Sequence, residues 1–249
     1  MNSKHIFPIL IALVAAVGGY YFATNNNADE VDELASEYVT EMVDFTDKPS
    51  YNLSSDEVLS LFSDNEMSAK HYRLRQISNV DHGMVLSVHL PPFNPEVEND
   101  VNRRKTNLLF RTRVDSAYQT FQNSSFGLPH SSIGRAFIEE ARLLSKVNGD
   151  RKTIVLRSDL MENTPDLSFY DKGVLQSVQN RDDRYWNSFT MFEDISFAGI
   201  RVVVIHSPID ASADSEFRIV CNYYRYFVEK CGGAFEVRNV SVSETLLRK

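Results

Sequence analysis

The run "GIRVVVIHSP", residues 199 to 208, constrains the fold more than any other stretch. It is β-branched and continuous, with no alternation, so both faces of the strand it forms must be covered by other elements. A helical pattern follows from about Ser212 to Cys231 and stops at Gly232-Gly233, where glycine suits a helix end. "AFEVRNV" then reads as a closing strand. Upstream, Phe110, Val114, Ala117 and Phe121 mark one helix face, and Ile133, Phe137, Ala141 and Leu144 mark another. The strand Lys152 to Arg157, in "KTIVLR", follows that second helix. From residue 102 onward, helix and strand therefore alternate. The pattern predicts an α/β fold, with a mainly parallel central sheet and helices on both faces.

Ahead of the alternation, "HYRLRQIS" and "GMVLSVHL" read as two strands joined through "NVDHG". The prolines of "PPFNPEVEND" make the next stretch a loop. "SSDEVLSLF" reads as a short helix, with Ser54 and Glu57 spaced as a capping box. In "ADEVDELASEYVTEMVDF", Val31, Leu34, Tyr38 and Met42 recur at helical spacing beside a strongly acidic face, which predicts a solvated helical stalk.

The uncharged run Ile6 to Ala23 is long enough, at about 1.5 Å per residue, to cross most of a bilayer as a helix. Tyr20, Tyr21 and Phe22 suit an interfacial belt, and no A-x-A cleavage motif closes the run, so an uncleaved signal anchor is expected. Lys4 precedes the run, while Asp29, Glu30, Asp32 and Glu33 follow it. The positive-inside rule then keeps the amino terminus in the cytoplasm and places the rest in the cell envelope, as a single-pass membrane protein. The expected layout is an anchor and hinge over 1–27, an acidic helical stalk over 28–69 and an α/β domain over 70–249.

A net charge of -8 argues against nucleic acid as the main partner, because phosphate binding needs a basic face and none is evident. Pairs such as Arg103-Arg104 and Arg151-Lys152 are expected on solvated helix ends and strand starts. Cys221 and Cys231 lie within one helical pattern. Ten residues of helix separate α-carbons by about 15 Å, too far for a disulfide, so both are expected as buried apolar groups. The aromatic cluster Tyr185, Trp186, Phe189, Met191 and Phe192 is expected to cover the sheet.

Open parallel sheets hold their ligands at the carboxyl ends of the strands. Three such ends are readable: Ser158-Asp159, His206-Ser207 and the loop after Leu90. The loop before the helix at 132 adds Ser131 and Ser132. These five side chains, Ser131, Ser132, Ser158, Asp159 and His206, are the candidate binding edge. A lone histidine at a strand end is expected to be structural. A hydrolase built on Ser158, Asp159 and His206 is the alternative, although the chain has no G-x-S-x-G elbow.

"HSSIGRAFIEEARLL" sets a serine pair ahead of a helix, "KTIVLRSDLMEN" ends a strand on Ser-Asp, and "GIRVVVIHSP" leads to "YYRYFVEKCGGAFEV". In this order the segments resemble the von Willebrand factor A-like (vWA-like) family over roughly residues 70 to 245. In that family a Ser/Thr ahead of one helix and an Asp after the next strand help hold a divalent cation. The resemblance implies a vWA-like domain that binds a protein partner, with Ser132 and Asp159 where metal ligands would stand and Mg²⁺ as the ion. The chain departs from the family at the first strand, where D-x-S-x-S belongs. "VLSVHL" runs instead into "PPFNP", and Ser78 and Asp81 have the wrong spacing. A divalent ion takes about six oxygens. The expectation is therefore a degenerate metal motif, no cofactor and a scaffolding role, rather than an enzyme. Ligands from the 91–100 loop, such as Asn94 or Glu96, would be needed to complete a Mg²⁺ site.

Overall fold

A computed structural model describes residues 35–44, 55–77, 83–123, 131–186, 195–207 and 210–239. The expected anchor lies outside them. Among the described residues, no helix is long and apolar enough to cross a membrane. Residues 35–249 form one compact unit.

The elements run β1 (Ser36–Asp44), α1 (Ser55–Leu59), β2 (Ala69–Ile77), β3 (Val85–Leu90), α2 (Asp100–Gln122), α3 (Ile133–Lys146), β4 (Arg151–Arg157), α4 (Lys172–Gln179), α5 (Asp183–Trp186), β5 (Ile200–His206), α6 (Ala211–Lys230) and β6 (Ala234–Asn239). They build a six-stranded sheet in the order β3-β2-β1-β4-β5-β6. β1 runs parallel to β2 and β4, and β4, β5 and β6 continue in parallel. Among the described strands, β3 alone is antiparallel, paired to β2. The sheet is thus mainly parallel, in an α/β fold.

Both faces are covered. On one, Phe137 of α3, Leu175 of α4 and Phe217, Val220 and Tyr224 of α6 pack on Met42, Ile154, Leu156, Val202 and Val204. On the other, Val58 of α1 and Phe110, Val114 and Phe121 of α2 pack on Val39, Val43, Val155, Val203 and Ile205. β4 and β5 send alternate side chains into the two clusters, which is why their sequences are apolar without a break.

The expected acidic stalk is corrected here. Residues 36–44 are β1, a central strand with a parallel partner on each side, and the α/β unit begins at Ala35 rather than at 70. The acidic residues of β1 are inside. Glu37 is buried and accepts hydrogen bonds from Ser63 N (2.7 Å), Ser63 Oγ and Ser68 Oγ (2.9 Å). Glu41 is fully buried; Tyr72 OH (2.7 Å), Tyr118 OH and Arg157 Nε all donate to it. Arg157 also reaches Glu57 of α1 at 2.9 Å. A buried carboxylate survives only with such partners.

Arg103 is likewise not on a solvated helix end. It is fully buried in α2, and its guanidinium donates to the carbonyls of Glu66, Pro91 and Ser68. That clamp ties α2 to the start of β2 and the end of β3. Cys221 and Cys231 are both free, Cys221 buried and Cys231 half-buried. Trp186 donates from Nε1 to Val178 O at 2.8 Å, and its ring lies 5.4 Å from Tyr223. It therefore packs onto the α6 side of the core. Phe189, Met191 and Phe192 lie outside the described residues.

Candidate functional site

The parallel strands β1, β4 and β5 end together, on Asp44, Arg157 and His206. β3 runs the other way: Leu90 pairs with Lys70 at the start of β2. The loop after Leu90 is therefore at the amino edge. The expectation that it shares the active edge, with Asn94 or Glu96 as ligands, is overturned by that antiparallel pairing. Asn94 instead closes a local turn, its Oδ1 accepting from Glu96 N at 2.9 Å.

At the carboxyl edge, two serines from distant parts of the chain meet one carboxylate. Ser131 Oγ donates to Asp44 Oδ2 at 2.7 Å, and Ser158 Oγ donates to the same oxygen at 3.1 Å. The backbones of Ser131 and Asn163 also pair, with Asn163 N to Ser131 O at 2.9 Å. The loop ahead of α3 and the loop after β4 are thus stitched together over the end of β1. Asp44, Ser131 and Ser158 are all buried, so they form the inner layer of the edge. Ser132 and Asp159, half-buried, are the outer layer.

The loop after β4 is wound tightly. Ser158 Oγ accepts from Leu160 N, and Asp159 Oδ1 accepts from Met161 N, both at 2.9 Å. Leu160 sits at φ 63°, a left-handed conformation that costs a non-glycine residue on the order of 1 kcal/mol. Its side chain is fully buried, and that burial holds the conformation in place.

Ser132 occupies the N-cap position of α3 but makes no side-chain cap hydrogen bond. Glu162 does that work from outside the helix. Its Oε2 accepts from Gly134 N at 2.7 Å and from Tyr224 OH at 3.1 Å. A carboxylate at a helix N-terminus is favoured by the exposed N–H groups there. Burial dominates all the same, and it lifts the Glu162 carboxyl from the ordinary 4.5 to about 7, against those hydrogen bonds.

His206 is at the same edge, on β5, yet it behaves as an aromatic. Its ring stacks on Phe217 at 3.9 Å, burial pushes its pKa down, and its buried Nε2 has no hydrogen-bond partner among the described residues. Ser158 spends its proton on Asp44. His206, the base that the hydrolase alternative names, makes no hydrogen bond to Ser158 among the described residues.

At this edge, the described residues offer a divalent cation a poor fit. Among the described residues, no three His, Cys, Asp or Glu side chains gather as a metal set. Both buried serine hydroxyls point their protons at Asp44 instead of lone pairs at a common centre. Asp44 and Glu162 escaped the sequence reading. Asp44 was hidden by the helical pattern assigned to β1, and Glu162 lies in "SDLMEN" with no motif to flag it. No protein-family model matches the chain, and no curated protein is significantly similar to it.

Proposed function

We propose that this chain is a membrane-anchored, exported protein-binding module, and that a vWA-like domain presents its sheet's carboxyl edge to a protein partner. One observation carries the reading: Ser131 and Ser158, from two loops, share Asp44 Oδ2 at the end of a central parallel strand. That brace sets Ser132 and Asp159 on the outer layer of a common edge. The corrected first strand also supports the resemblance. It ends on Asp44, so the D-x-S-x-S register falls on Asp44-Phe45-Thr46-Asp47-Lys48. The leading Asp and a Thr are present, and Lys48 replaces the last serine, which suits a domain that has given up the ion. The uncharged run Ile6 to Ala23 supplies the anchor in this reading.

The test is recovery of a partner from envelope extracts with the tagged full chain and its Asp159→Ala variant. The variant loses one turn hydrogen bond and should melt within a few degrees of the parent, and recovery should fall about tenfold, the equivalent of roughly 1.4 kcal/mol. Equal recovery by a normally folded variant would sink the proposal.

A further inference from the structure

His71 of β2 and His89 of β3 stand directly opposite each other in the antiparallel register. Their Nδ1 atoms are 3.0 Å apart, with ring centroids at 4.2 Å and planes tilted by 38°. His71 is also held from its other side. Tyr38, its register partner on β1, stacks on it at 4.3 Å with the planes 6° apart. Tyr38 in turn rests where Gly149 has no side chain, since a Cβ there would come within 2.6 Å of the tyrosine ring. His89 is exposed on the edge strand, so the gap between the two imidazoles opens to solvent. The pair lies on a different part of the molecule from the carboxyl edge, and the inference does not rest on the reading above.

Two neutral imidazoles can approach this closely in two ways. One ring donates N–H to the other, or both lone pairs face one cation. Metal–nitrogen bonds of about 2.0–2.1 Å meeting at a right angle put the two nitrogens about 2.8–3.0 Å apart, whereas a tetrahedral angle puts them at about 3.3–3.4 Å. The observed separation matches the right angle, the arrangement of tetragonal Cu²⁺ and Ni²⁺ sites. We propose that His71 and His89 form a two-imidazole site for a tetragonal late first-row cation, Cu²⁺ foremost. Among the described residues, no third His, Cys, Asp or Glu completes a set, so water fills the other positions.

The experiment titrates the metal-free full chain with Cu²⁺, reading calorimetry and electron paramagnetic resonance together. The expected result is one equivalent whose spectrum shows coupling to two imidazole nitrogens, and a melting midpoint that rises with added ion. His89→Asn should melt like the parent without metal and lose at least about tenfold in affinity, while His82→Asn keeps the equivalent. A simple shared-proton pair would give no stoichiometric binding, and that result overturns the proposal. So would an equivalent that survives in His89→Asn or disappears in His82→Asn.

Discussion

Glu162 couples the edge loops to pH. Burial lifts its carboxyl to about 7 in the folded chain, against an ordinary 4.5 when unfolded. Between those values the folded chain holds a proton that the unfolded chain has released. Its stabilising contribution is therefore complete below about 4.5 and is lost as pH rises through about 7. At roughly 1.4 kcal/mol per pH unit, the difference approaches about 3 kcal/mol. Glu162→Gln keeps an acceptor for Gly134 N and Tyr224 OH without ever carrying charge. Urea unfolding at pH 5 and pH 8 should show the variant gaining on the parent by a few kcal/mol at the higher pH. Parallel pH profiles for the two proteins would remove Glu162 as the titrating group.

β1 is where elements and sequence part company. Its side chains alternate as a strand should: Tyr38 and Met42 pack toward one helical layer, Val39 and Val43 toward the other. Because both faces are buried, no polar face betrays the period of two. Glu37 and Glu41, four residues apart, imitate the solvated stripe of a helix, although their true partners are Ser63, Ser68, Tyr72, Tyr118 and Arg157. Those partners lie far along the chain, so local pattern could not reveal them. By contrast β4, β5, α2, α3 and α6 were legible, because continuous β-branched runs and one-sided apolar helices carry their own period. Ser131, Ser158 and Asp159 were readable as loop residues at strand and helix ends. Asp44 was not, since recognising it requires knowing that β1 is a strand. If β1 is the middle of the sheet, a fragment of residues 70–249 should lack cooperative unfolding, whereas 35–249 should melt in one transition. Circular dichroism melts of the two fragments check this, and a cooperative 70–249 would contradict the placement.

Across the whole molecule, the parallel strands and the helices between them give the unit two unlike ends. The carboxyl edge carries the Asp44 brace and the outer pair Ser132 and Asp159; the amino edge carries the loop after β3, clamped by Arg103. α3 starts at the carboxyl edge, and Arg135, on its first turn, is exposed there. Val97, in the loop after β3, is exposed at the amino edge. The decisive measurement places a photo-crosslinking amino acid at Arg135 in one full-length chain and at Val97 in another, each expressed in cells. A partner docked at the carboxyl edge gives a specific adduct from position 135 and none from position 97. An adduct from position 97 alone would contradict the account.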